Sequence, residues 1–421
     1  MNIWLNERPD REGTERLIAR LKKVCQPKDK LRVRILPSSR FWPEYVNLLK
    51  APVSKQENYP DIIEFPLTWY DSLLDLDILA NTDDLDGATV RRWSPIAALA
   101  RQSGSLPDAN GLLCLPWLTG PLLLYYRADR LRSLGKDPAQ MHSYAGWQDC
   151  LRSVTLGTDM IALDMPMIFP MSLWWIWSFG GDIIDPLNLM PSFCQAEAIS
   201  GLTAMIETII EHRGARFKDD IMPTLYVGGA DTIFPDNVFC LFDFHTPEAL
   251  MSLGGQVACA PAPIRDSRVD TAKTYAFAVT KVGLRQNAES TMSFFETLAT
   301  DASLWSDAAK YSGMLPADPV LADRALQEIP QENVRATLRS AMRPNKTPAA
   351  SRFLAPLAKI FFDALYKAAL EALNRGKADP VRISAALAKA ASEYRLMVAL
   401  YDGLRIPAPP AQPLLTVKDV R

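Results

Sequence analysis

The chain has 421 residues, 48% hydrophobic and 22% charged, a balance that suits ordinary globular protein and enough length for two domains. Lys plus Arg number 46 against 48 for Asp plus Glu, a formal net charge of -2 without a basic stripe, which argues against a nucleic-acid binder. The most apolar stretch, Met165 to Phe179, falls short of the ~20 residues that cross a bilayer and is broken by Pro166 and Pro170.

Asn2 to Leu5 reads as a strand, and a helix follows from Thr14 to Cys25, with Leu17, Ile18, Leu21 and Val24 at helical spacing. Leu31 to Leu36 is a second strand, Trp42 to Leu49 a helix with Pro43 near its start, and Pro60 to Phe65 a third strand. This alternation predicts a parallel sheet with right-handed crossovers. Leu112 to Leu115 and Leu122 to Tyr126 read as strands separated by a break at Pro116 to Pro121, which suggests a crossing between domains. Helices follow at Ala128 to Leu134, Tyr144 to Val154, Ser172 to Phe179 and Gln195 to His212. Val238 to Phe242, Gln256 to Ala260 and Tyr275 to Val279 read as strands, with Pro261 to Thr274 as a second crossing. Beyond it the pattern is helical over 287–300, 302–311, 331–342, 351–374 and 379–400, before a proline-rich tail.

Phosphate-loop, dinucleotide-binding, nucleophile-elbow and zinc-protease signatures are all missing. The six cysteines are scattered without any C-x-x-C and read as small buried apolar residues. His142, His212 and His245 lack a recognisable catalytic context, and His212 reads as a solvated residue near a helix C-terminus. The carboxylates Asp75, Asp77, Asp83, Asp84 and Asp86 only partly fit a calcium loop and read as a solvated run. No metal site, cofactor or catalytic residue is expected.

Tryptophans are the informative residues. In open α/β sheets ligands bind beyond the carboxyl ends of the strands, and Trp42, Trp69 and Tyr70 follow predicted strands closely. Trp174 or Trp175 near a predicted break adds a further ring, and such faces suit the C–H faces of a pyranose or another flat ligand. Trp117, Trp147, Trp177 and Trp305 read as core residues.

Several segments then line up with one family. Asn2-Ile3-Trp4, Pro60-Asp61-Ile62-Ile63, Leu115 to Gly120, Leu124 to Asp129, Gly146-Trp147, Trp177 to Asp182 and Tyr311 to Ala317 occur in an order that resembles the family 1 extracellular solute-binding proteins of ABC transporters, the maltose-binding-protein-like group. The resemblance implies a two-lobed, type II periplasmic-binding-protein-like α/β fold with an interlobe cleft and a helical C-terminal region. It implies a first lobe of 1–117 plus about 272–313, a second of about 118–268 plus 314–405, and a tail from 406. A third crossing is expected near Gly313 to Pro316.

The function implied is capture of a carbohydrate by a monomeric, non-enzymatic binder that passes it to the permease subunits of an importer. Carried onto this chain, the resemblance adds Phe65, Trp69 and Tyr70 in the first-lobe cleft loop, Thr119 at the first crossing, and Trp174 and Trp175 on the aromatic helix. It also adds Asp243 and His245 after the strand ending at Phe242, and Tyr311 and Gly313 at the late turn. The compartment is periplasmic if a signal peptide has been removed, and cytoplasmic if Met1 is the native start. The alternative function is a cytoplasmic sensor or scaffold of the same fold, and a carbohydrate-active enzyme is the third class.

Overall fold

The computed structural model describes residues 1–6, 11–24, 31–36, 44, 59–102, 113–137, 143–157, 161–165, 169–185, 187–212, 237–242, 256–261, 272–329, 331–342 and 353–402. The chain opens with strand β1 (Asn2–Asn6), helix α1 (Arg11–Val24), β2 (Arg32–Leu36) and β3 (Ile62–Pro66). Glu12 in the first turn of α1 and Lys22 and Lys23 in its last complement the helix dipole. A 3-10 turn at Leu67–Trp69 leads into α2 (Tyr70–Asp75), then α3 (Gly87–Gln102) and β4 (Cys114–Pro121). A single residue, Leu122, separates β4 from β5 (Leu123–Arg127).

The second lobe continues through α4 (Ala128–Ser133), α5 (Tyr144–Gly157), β6 (Ile161–Asp164), α6 (Phe169–Ser178), α7 (Ala196–Glu211), β7 (Asn237–Phe242) and β8 (Val257–Pro261). The chain then re-enters the first sheet as β9 (Ala272–Val279), followed by α8 (Lys281–Thr300), α9 (Ala302–Ser312) and the short β10 (Leu315–Pro316). Four more helices follow among the described residues: α10 (Pro319–Gln327), α11 (Glu332–Ala341), α12 (Leu354–Arg375) and α13 (Pro380–Asp402).

Two separate sheets organise these elements, one in the order β10-β4-β9-β3-β1-β2 and one in the order β6-β7-β5-β8. As expected from the opening alternation, β1 pairs in parallel with both β2 and β3. The return strand β9 runs antiparallel between β3 and β4. Side chains alternate across each sheet. Tyr275, Phe277 and Val279 of β9 join Ile3 and Leu5 in one core. Ala276 and Ala278 join Trp4, Phe65 and Tyr70 in the core of the opposite face. In the second sheet, Leu124 and Tyr126 face a core shared with α5, α6, α7, α12 and α13, while Leu123 and Tyr125 face α10 and α11.

The first crossing differs from the expected break. Cys114 to Pro121 is one continuous, fully buried strand paired along β9 from Cys114↔Ala278 to Pro121↔Ala272. Proline is tolerated because the register shifts at a bulge between Pro116 and Leu118, and Pro121 is the last residue of the strand. The first sheet therefore runs past residue 117, and also past 313, because β10 pairs with β4 at Leu315↔Thr119 and Pro316↔Leu118.

Trp117, Trp147, Trp177 and Trp305 are buried, as the core reading requires. Cys114, Cys150 and Cys259 are buried and Cys194 is half-buried. Burial pushes the Cys194 thiol up to about 11 and the Cys259 thiol up to about 12, so neither is a reactive thiolate at neutral pH. Cys25 lies outside the described residues. Three members of the acidic run, Asp77, Asp84 and Asp86, make local caps and pairs. Asn81 and Asp84 form a reciprocal capping box, Asp86 Oδ1 accepts the Thr89 amide at 2.7 Å, and Lys281 pairs with Asp77 at 2.5 Å. No group of metal-ligating side chains occurs among the described residues, and no helix among them is long and apolar enough to cross a membrane.

His212 corrects the solvated reading: it ends α7 as expected, but it is buried. The Thr155 hydroxyl gives its hydrogen to the Leu151 carbonyl at 3.0 Å, so the imidazole Nδ1–H must donate to Thr155 Oγ1 at 2.9 Å. Nε2 is left bare and buried, with Glu211 at 3.9 Å. Burial pulls the pKa below 6.5; Glu211 opposes this and nearby Arg152 reinforces it. The unfolded chain therefore takes up a proton at a pH where the folded one does not. Stability should fall as pH drops below about 6.5, with a slope approaching 1.4 kcal/mol per unit from this group. Thermal melts between pH 7.5 and 5.5 check this, and His212→Gln should flatten the profile; an equally steep profile in the variant would sink the assignment.

Candidate functional site

The carboxyl ends of the parallel strands β1 and β3 lie side by side, the position where α/β sheets receive ligands. Asn6 ends β1 and Glu64 lies at the middle of β3, and both are buried. Glu64 accepts the Asn6 backbone amide at 2.9 Å and the Trp117 indole N–H at 2.8 Å, while the Asn6 side-chain amide donates to the Glu64 carbonyl at 2.9 Å. The Glu64 side chain thus ties β1, β3 and β4 together two residues before β3 ends and the loop begins.

That loop is the 3-10 turn Leu67–Trp69 running into α2. Phe65 and Tyr70 are buried in one apolar cluster with Trp4, Ile63 and Leu73, and Trp69 packs half-buried at its edge. Burial raises the Tyr70 phenol far above its ordinary range, reinforced by Cys114 and Asp71. Asp71, one residue further on, is half-buried, and desolvation raises its carboxyl above the usual value. Asp71 is the residue that sequence reasoning missed; its only signal there is its place next to Trp69-Tyr70.

Across from this loop stands the N-terminus of α12. The Ala355 amide donates to Ser72 Oγ at 3.3 Å, and α12 also touches the Leu67–Trp69 turn. Phe353, which precedes α12, is buried and meets Tyr394 edge-on at 6.4 Å. The two lobes are joined by the β4–β9 ribbon, where Thr119 is buried and its hydroxyl meets that of Thr274 at 3.0 Å. Lys273 Nζ sits 4.9 Å from the Tyr275 ring centroid in the same ribbon.

Of the expected site residues, the fold brings Phe65, Trp69 and Tyr70 together and sets Thr119 in the ribbon that joins the lobes. Trp174 and Trp175 are corrected: both rings are fully enclosed in the second-lobe core. Residues 171–178 of α6 are all buried, so no face of that helix carries an open ring. Trp175 packs against Trp174, Tyr144, Trp147 and Phe179, and its N–H donates to Met165 Sδ at 3.2 Å. Tyr311 packs half-buried on the first-lobe core. Gly313 closes α9 in the left-handed conformation at φ 73, so its glycine requirement is that of a helix cap. Trp42, Asp243 and His245 lie outside the described residues.

Two α/β lobes, two antiparallel connecting strands and a helical C-terminal region make this the type II fold of the maltose-binding-like solute-binding proteins. Among solved structures, maltose-bound MalE3 of T. maritima matches with TM-score 0.72 at 17% identity, over 94% of this chain and 99% of that one. The GacH receptor of Streptomyces glaucescens, solved unliganded and with acarbose, matches with TM-score 0.69 at 14% identity, over 94% and 97%. The Thermus thermophilus maltotriose binding protein, bound with maltotriose, matches with TM-score 0.65 at 12% identity, over 94% and 100%. No protein-family model matches the chain, and no curated protein matches it in sequence.

Proposed function

We propose that this protein is a non-enzymatic binder that captures a carbohydrate between its lobes and presents it to an ABC importer. The observation that supports the reading most is the half-buried Trp69 just past the carboxyl end of β3, on the turn that meets α12. An indole face offers an apolar platform to the C–H face of a sugar ring. Asp71, two residues on and half-buried, carries a carboxyl group whose oxygens can accept hydroxyl hydrogens. The ligand bridges the loop and the second lobe only when the lobes are together, so binding shifts the population towards closure, the form a permease reads. The same reading makes the protein a monomer working outside the cytoplasmic membrane.

Thermal melting against mono-, di- and oligosaccharides tests this. A sugar at about 100 times its dissociation constant should stabilise the fold by about 2.7 kcal/mol. Trp69→Ala should weaken the responding sugar at least tenfold, about 1.4 kcal/mol, while moving the ligand-free melting temperature much less. Silence from every sugar, with a shift from amino acids or metal ions, would sink the carbohydrate reading.

A further inference from the structure

The contact between Ser72 and the start of α12 has properties of its own. Ser72 sits on α2, whose neighbour Leu73 is rooted in the first-lobe core with Trp4, Phe65 and Tyr70. Ala355 sits in the first turn of α12, whose Leu354, Leu357 and Phe361 are rooted in the second-lobe core with Trp174 and Trp175. The first amides of a helix have no intrahelical acceptor and need one from outside. A residue at the N-cap commonly supplies it, but Phe353 occupies that place in α12 and makes no side-chain cap. The acceptor comes instead from the other lobe, through the Ser72 hydroxyl at 3.3 Å. Both partners are buried, Ser72 at 1% and Ala355 at 2% exposure, so water does not compete for the bond while the lobes touch.

We infer that Ser72 is an interlobe cap that holds the two lobes together before any ligand arrives. Opening the lobes exchanges the Ala355–Ser72 bond for one to water and parts α12 from the Leu67–Trp69 turn and α2, so the latch works through one hydrogen bond and the packing around it. Its effect is a bias: it raises the closed fraction of the free protein and therefore the apparent affinity for whatever the closed cleft grips. Ser72 is a positioning residue, and touches α12 rather than the ligand. The inference rests on the reading of the cleft as one that closes, and adds what sets its resting position.

Replacing a capping serine with alanine changes an equilibrium by roughly fivefold, about 1 kcal/mol at 1.4 kcal/mol per tenfold. Small-angle scattering and hydrogen exchange on the full chain, both without ligand, read the effect directly. The wild type should scatter as the compact form and protect the peptide containing Ala355. Ser72→Ala should enlarge the radius of gyration and speed exchange in that peptide alone, with Ser72→Thr, which keeps the hydroxyl, restoring both. Unchanged scattering in a folded Ser72→Ala protein overturns the latch. So does a wild type whose Ala355 peptide exchanges as fast as an uncapped helix start, a result that needs no variant. Because no sugar enters these measurements, a failed latch leaves carbohydrate binding standing, and a silent sugar panel leaves the latch standing. Where a sugar binds, Ser72→Ala should weaken it about fivefold.

Discussion

Gly283→Ala is expected to destabilise the first lobe by about 3 kcal/mol or more. Gly283 lies in the first turn of α8, against the backbone of Asp61 at the start of β3. A Cβ there would sit 2.7 Å from the Asp61 carbonyl carbon and closer still to its Cα and oxygen, all backbone atoms that no rotamer change can move. Asp61 cannot retreat either. Its carboxylate accepts the Asn2 amide at 2.6 Å and the Asn287 side-chain amide at 2.9 Å, and its carbonyl accepts the Thr280 amide at 3.0 Å. The Gly283 amide is itself held by the Thr280 hydroxyl at 2.9 Å. Strain would thus spread into β1, β3 and α8 together. Denaturant unfolding followed by tryptophan fluorescence measures this; a midpoint within experimental scatter of the wild type would show that the helix start can slide.

The second large effect is expected at Glu64→Ala. The substitution removes the charged acceptor of the buried Asn6 amide and Trp117 indole N–H, at about 1–3 kcal/mol for each lost bond. Glu64→Gln keeps one acceptor oxygen and should lie between the two. Because Glu64 supports the loop bearing Trp69, the alanine variant should also lose ligand response before it loses all its structure. Calorimetric melting of the three proteins, with and without the responding sugar, distinguishes the two losses. A wild-type melting curve for Glu64→Ala would remove the carboxylate from any structural role.

How far residues alone predict this fold depends on where local pattern and tertiary packing agree. β1, β2, β3 and α1 are legible because alternation and helical spacing are unbroken there. β4 is not, because Pro116 and Pro121 ordinarily end a ladder, and only the bulge and the strand end make room for them. Gly87–Gln102 gives a weak helical signal for a similar reason: it begins on glycine and carries Pro95 in its interior. Trp174 and Trp175 mislead for a different cause. A helix buried on every side has no polar face to orient it, so sequence cannot say whether a ring looks at a cleft or a core. In the candidate site, Trp69 and Tyr70 are legible from their place after a strand, and Phe65 enters only through the family resemblance. Asp71 and the Ser72–Ala355 contact are not, since one is an ordinary surface-type residue and the other joins positions far apart in the chain.

The place of β9 in the first sheet has a consequence for how the protein is made. It lies between β3 and β4, so both strands lack a neighbour on that side until Val279 has left the ribosome. At ~5–20 residues per second, the emerging chain spends on the order of tens of seconds with two apolar strand edges open. During that interval the second lobe is already being synthesised, and edges of this kind are sites of mispairing. Speeding translation between Leu122 and Ala272 should raise the yield of soluble protein without changing a single contact in the finished fold.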